Sequence, residues 1–298
     1  MSFWKGRKVL VIGAHGFTGG YLCRELIAQG AKVRGLVRYT SDPIPDIENF
    51  MGNMNDLESV TEAKRDMEII FNPAAIVSVD EVKNKPQHAF QNNAIGPFNI
   101  AYDLGERRLL HISTCHIYGN PMELPIKETT VPNPCDFYGA SKYAAEIFLR
   151  PLINDGANIV ISRSFAKYGP GKSHGYLIPS IITQLIKSEK PKLGNPLPTR
   201  DYVYITDVVK GYLLLAEKGV KGEIYNLSSG IETSVKEVYD IICKILWKDV
   251  EPIWGSYQRP NDLMRLFGDS TKARSLGWLP KFSLEEGLRE TVYWWMKQ

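Results

Sequence analysis

A tyrosine and a lysine four residues apart on one helix face bring a phenol beside an ammonium, which favours the phenolate and readies it to exchange a proton with a substrate oxygen. The 298-residue chain holds this spacing three times, at Tyr138/Lys142, Tyr168/Lys172 and Tyr293/Lys297, so spacing alone selects none of them. Context selects the first. Tyr138 opens an amphipathic stretch behind the polar loop Pro134-Cys135-Asp136, whereas Tyr168 falls in a Gly/Pro turn and Tyr293 in an aromatic tail that reads as core. Upstream, Ser113-Thr114-Cys115-His116 ends an apolar run. A hydroxyl there, at the C-terminal end of a strand, can hydrogen-bond the same substrate oxygen as Tyr138, which makes Thr114 its partner.

Short apolar runs alternate with amphipathic stretches through the first half, the pattern of repeated βαβ units and a doubly wound parallel sheet of the α/β class. Strands are expected at 8–12, 32–37, 48–51, 67–71, 109–112 and 159–162, and helices at 19–29, 57–65, 87–104 and 138–152. After about residue 165 the alternation loosens into Pro/Gly-punctuated pieces, with helical spacing at 176–188, 205–217, 234–246 and 284–296. A smaller C-terminal lobe is expected there. No internal repeat or low-complexity segment interrupts the chain.

Directly after the first strand comes Gly13-Ala14-His15-Gly16-Phe17-Thr18-Gly19, where glycines let backbone amides approach a pyrophosphate at a helix N-terminus. A bare glycine pattern is weak in a chain with 25 glycines, and its position between strand and helix is what gives it force. The second strand runs out in Leu36-Val37-Arg38-Tyr39-Thr40-Ser41, without the acid that would take a free ribose 2′-hydroxyl. Arg38, with Thr40 or Ser41, can instead grip a 2′-phosphate, which favours NADP over NAD.

Composition narrows the partners. The 36 basic and 33 acidic residues are interspersed, leaving a net charge of +3 and no basic block for a nucleic-acid backbone. No apolar run reaches the length of a membrane span, and Lys5, Arg7 and Lys8 lead into a strand rather than a secretory core, so a cytoplasmic protein is expected. Cys23, Cys115, Cys135 and Cys243 lie too far apart to suggest a disulfide framework or a metal site.

The ordered motifs together resemble the extended short-chain dehydrogenase/reductase family, in particular its nucleotide-sugar epimerases, dehydratases and reductases. Beyond the glycine loop and Tyr138/Lys142, the resemblance rests on Asn72-Pro73-Ala74-Ala75, Asn93-Ala94-Ile95-Gly96 and Arg163-Ser164-Phe165-Ala166-Lys167-Tyr168-Gly169-Pro170-Gly171. It continues through Arg200-Asp201-Tyr202-Val203, Tyr225-Asn226-Leu227, Arg259-Pro260-Asn261-Asp262 and Leu276-Gly277-Trp278. It implies a Rossmann-type cofactor domain over 1–165, rejoined by segments near 200–228, and a nucleotide-sugar lobe over 166–298. It implies that Thr114, Tyr138 and Lys142 are catalytic and that Asn53 and Met54 flank the adenine. His15, Ala74 and Asn93 join the cofactor site, and Arg200 and Arg259 clamp the substrate diphosphate. It also implies a homodimer formed by the helices at 87–104 and 138–152.

Two departures bear on the reaction. Dehydratases of this family carry Asp-Glu after the catalytic Thr, and here those positions hold Cys115 and His116. Without the carboxylates, hydride transfer at sugar C4 is favoured over water loss. His116 stands where some epimerase/reductases keep an acid/base cysteine and can exchange a proton near neutral pH, or can simply line the pocket beside Cys115. Ala166 replaces the Asn that usually contacts the substrate. The expectation is a C4 epimerase, with an NADPH-dependent 4-keto-6-deoxy nucleotide-sugar reductase as the alternative. A dehydratase and a non-catalytic cofactor sensor follow.

Overall fold

The computed structural model describes residues 2–38, 43–256 and 263–298. Six parallel strands follow one another through the first half: β1 (Lys8–Ile12), β2 (Lys32–Val37), β3 (Glu48–Met51), β4 (Ile69–Asn72), β5 (Arg108–Thr114) and β6 (Asn158–Ser164). Helices α1 (Phe17–Ala28), α2 (Leu57–Lys64), α3 (Val79–Asn84), α4 (Pro86–Phe90), α5 (Gly96–Ala101) and α6 (Phe137–Asn154) lie between them. The chain continues with β7 (Ala166–Tyr168), α7 (Leu177–Ile186), β8 (Thr199–Arg200), β9 (Tyr202–Tyr204), α8 (Ile205–Lys218) and β10 (Ile224–Leu227). It closes with β11 (Thr233–Ser234), α9 (Val235–Leu246), β12 (Arg265–Leu266), α10 (Thr271–Ser275) and α11 (Leu284–Trp295).

The central sheet has seven strands in the order β10-β6-β5-β4-β1-β2-β3. Helices cover both faces, so β1 and β4 read as unbroken apolar runs rather than alternating ones. One core joins Val9, Val11, Leu22 and Leu26 to Val208 and Tyr212, and the other joins Leu10, Ile12, Ile70, Leu109 and Ile161 to Leu149. Strand order reverses between β1 and β4, and a crevice opens at their C-terminal ends. The glycine loop and Pro73-Ala74 form its two lips.

The sequence-based helix over 87–104 is a continuous helical run from Pro86 to Ala101 with a wide π turn at Gln91–Ile95. That turn swings Asn93 inward, where its amide bonds both the nitrogen (2.7 Å) and the carbonyl (2.9 Å) of Ile76 and also Ser141 Oγ (3.0 Å). The C-terminal lobe is built on α7, α9 and α11, with Ile178, Ile182, Val238, Ile242 and Leu288 interlocked. Each such side chain contributes roughly 1.5–3 kcal/mol. Capping boxes at Ser234/Glu237 and Ser283/Glu286 start α9 and α11. Asp201, fully buried, accepts from the amides of Ser229 (2.6 Å), Gly230 (2.9 Å) and Gly268 (3.3 Å), tying β8 and β9 to the chain after β10. Among the described residues, no helix is long and apolar enough to cross a membrane and no cluster of ligands is placed to hold a metal ion.

Candidate active site

Gly13 carries φ +72°, and a Cβ there would meet Ala74 Cβ at 2.9 Å. A Cβ on Gly19 would strike the Gly13 carbonyl oxygen, so the loop can close onto α1 only as glycine. Gly16 caps α1 with no side-chain hydrogen bond, which leaves the first amides of the helix for a ligand. A cleft of about 460 Å³ lies over them. Its lining includes Gly13, His15, Gly16, Phe17, Thr18 and Gly19, with Arg38, Asn53, Met54 and Ala74 toward one end and Tyr138 and Lys142 toward the other. The bare helix N-terminus, the closed glycine turn and the buried Ser113 hydroxyl, which lines the cleft and has no hydrogen-bond partner, fit a dinucleotide. Asn92 lines the cleft, whereas Asn93 is fully buried and braces the loop after β4. Thr40, Ser41 and Arg259 lie outside the described residues.

Tyr138 is the second residue of α6 and Lys142 follows one turn on. The Asp136 carboxylate caps this helix, accepting from Gly139 N at 2.6 Å. Gly139 is where the helix presses on the turn after β5, because a Cβ there would meet the His116 carbonyl oxygen at 2.6 Å. This contact brings the phenol beside Thr114, whose hydroxyl acts to lower its pKa. Burial pushes the Tyr138 phenol up, and Thr114 only partly opposes that. The phenolate-favouring effect expected from spacing is therefore outweighed by desolvation. Lys142 donates to the Ile112 carbonyl at 2.7 Å, and burial, then the charge of Lys167, pulls it down to about 7.

His116 Nδ1 lies 2.9 Å from Asp136 Oδ2, and its ring meets Tyr138 edge-on at 5.3 Å between centroids. Although burial works to raise it, Asp136 sits below the ordinary carboxylate range, because the His116 bond and the Gly139 amide outweigh desolvation. Asp136 was not among the expected site residues. Its signal was the N-cap preference for Asp at a helix start. Cys115 is buried among Ile117, Tyr118, Phe165 and Leu266, and burial pushes its thiol up to about 12, so it packs rather than ionises. Ala166 is half-buried on β7. Arg200, on β8, donates to the carbonyls of Thr199 (2.8 Å) and Leu263 (2.5 Å).

Lys167, Lys172 and Tyr176 also line the cleft and were not among the expected site residues. Burial lowers Lys167 to about 8, and burial with the charge of Lys167 lowers Lys172 to about 7. Lys172 belongs to the second Tyr/Lys pair, whose tyrosine is buried in the lobe core while its lysine reaches the cleft. Behind the site, Arg163 and Glu146 form a buried ion pair at 2.6 Å that locks β6 to α6.

Residues 9–228 match the NAD dependent epimerase/dehydratase family. A putative UDP-glucose 4-epimerase of Methanocaldococcus jannaschii is 31% identical over 96% of this chain and 97% of its own. The UDP-glucose 4-epimerase of Thermotoga maritima, solved with UDP-glucose, superposes with a TM-score of 0.91 at 28% identity, covering 97% of this chain and 99% of its own. A dTDP-glucose 4,6-dehydratase of Streptomyces venezuelae, solved with NAD, gives 0.89 at 26% identity, with 97% of each chain covered.

Proposed function

The chain belongs to the NAD dependent epimerase/dehydratase family, and on that premise we propose that it is a nucleotide-diphosphate-sugar epimerase acting by transient oxidation at sugar C4. It is an enzyme of the extended short-chain dehydrogenase/reductase type. The observation that carries the reading is Tyr138 and Lys142 lining the cofactor cleft together, with Thr114 beside the phenol followed in sequence by Cys115 and His116 rather than a carboxylate pair. The bound nicotinamide supplies reversible hydride exchange with the sugar carbon. Tyr138, as the phenolate that the positive charge of the oxidised nicotinamide favours against desolvation, accepts the proton of the 4-hydroxyl while Thr114 holds that oxygen. Lys142, anchored on Ile112, keeps the phenol and a ribose hydroxyl in register. The 4-ketosugar turns over within the cleft and Tyr138 returns the proton. His116, steadied by Asp136, is a second proton-exchanging group beside the phenol. Arg200 and Arg259 are the proposed clamp for the substrate diphosphate.

Arg38 lines the cleft beyond β2 and supports NADP over NAD. The same residue favours the second reading, an NADPH-dependent 4-keto-6-deoxy nucleotide-sugar reductase. Mixing such a ketosugar with NADPH separates the two. Stoichiometric loss of nicotinamide absorbance marks the reductase, and interconversion of C4 epimers with only catalytic cofactor marks the epimerase. In either case Tyr138→Phe should lower turnover by about 10²–10⁴-fold with cofactor binding retained. Full activity in that variant would sink both.

A further inference from the structure

Three ammonium groups converge on the cleft from three elements: Lys142 on α6, Lys167 on β7 and Lys172 in the loop before α7. The charge of Lys167 acts to lower the pKa of both of the others. Among the described residues, neither Lys167 nor Lys172 has a carboxylate partner. Lys167 reaches the Tyr212 hydroxyl at 3.4 Å, and Lys172 lies over the rings of Phe17 (4.7 Å) and Tyr176 (4.0 Å). Like charges gathered in a desolvated cleft are unfavourable until an anion joins them.

Two of the three have a role in the proposed reaction. Lys142 stands beside Tyr138, and Lys172 overlies the first residue of α1, whose free amides face the cofactor diphosphate. Lys167 is left over. It lines the same cleft as Tyr138, Lys142 and Ser113, the residue before Thr114. Beside it Ala166 offers only a methyl group. A C6 carboxylate is two bonds from C4 and would lie within a few ångströms of the oxygen that Thr114 and Tyr138 share.

Resting on the nucleotide-sugar reading, we propose that Lys167 is the receptor for a carboxylate on the sugar, and that the preferred substrates are nucleotide-diphosphate uronic acids rather than neutral hexoses. Arg200 and Lys172 then serve the diphosphates, and Lys167 serves the sugar.

The test measures kcat/KM, and Kd by isothermal titration, for UDP-glucuronate and UDP-glucose with the cofactor-loaded wild type, Lys167→Met and Lys167→Arg. The wild type should prefer the uronate by about tenfold to a hundredfold, the scale of one charge-assisted contact. Lys167→Met should bring the ratio near one, and Lys167→Arg should keep most of it. The Tm of ligand-free Lys167→Met should equal or exceed that of the wild type, because a desolvated charge has gone. Equal loss for both sugars in Lys167→Met would assign the lysine to the diphosphate and overturn the proposal, as would a wild-type preference for glucose. Failure of the underlying reading looks different: no UDP-, dTDP- or GDP-sugar, acidic or neutral, would bind or turn over.

Discussion

The Asp136 carboxylate holds the His116 imidazole at 2.9 Å through one oxygen and caps the helix of Tyr138 through the other, at 2.6 Å to Gly139 N. One side chain thus sets the orientation of a histidine and the position of the phenol beside it. Asp136→Ala should cost about 1 kcal/mol of stability from the lost cap and reduce kcat more than it raises KM. Asp136→Asn, which still accepts from Gly139, should keep the stability and lose part of kcat. The folded carboxyl titrates below its ordinary 3.8, so its contribution is present above that value and disappears as pH falls through the lower folded one. Denaturation of wild type and Asp136→Ala should therefore differ at neutral pH and converge in strong acid. A constant difference across that range would refute the linkage.

Arg38 offers a cleaner test, because cofactor binding needs no sugar. Arg38→Ala should weaken NADPH by about tenfold or more and leave NADH within a factor of about two, as read by nicotinamide fluorescence. Equal weakening of both would assign the guanidinium to the shared part of the cofactor.

Lys142 carries its own pH signature. With burial, then the charge of Lys167, holding it near 7 against an ordinary 10.5, the unfolded chain binds a proton that the folded chain lacks between those values. Ligand-free stability should rise with pH across that window. Lys142→Met should flatten part of the rise, measurable as a converging Tm difference from pH 7 toward 10. A difference that stays constant would mean the ammonium is as well solvated folded as unfolded.

Homodimer formation is proposed through α4, α5 and α6. Phe90, Phe137, Ile147 and Phe148 are exposed there, and Phe90 and Phe98 each meet Phe148 at 6.4 Å between centroids. Phe148→Asp should halve the mass seen by light scattering while leaving cofactor affinity within about twofold. A monomeric wild type would remove the expectation.

Much of the scaffold was legible because its signals are local. Lys8–Ile12 and Lys32–Val37 announce buried strands by composition alone, and even the weak third strand falls at Glu48–Met51 as expected. The glycine loop was readable because its steric demand lies within seven residues. Lys167, Lys172 and Tyr176 were not, since they enter the cleft only when β7 and the loop before α7 fold back over α1. Strands as short as Thr199–Arg200 and Arg265–Leu266 carry no period to detect. The Tyr138/Lys142 spacing was visible, but its electrostatics depended on how deeply both groups are buried.

The wide turn at Gln91–Ile95 also sets an angular phase. Eight residues of regular α-helix overshoot two turns by roughly 80°, which would carry Phe98 away from the azimuth of Phe90. A π turn absorbs about one extra residue, and the two rings come to flank the same Phe148. Deleting one residue within the turn would let it close to regular α-helix with Phe98 still near the azimuth of Phe90, since seven α-helical residues come within about 20° of two full turns.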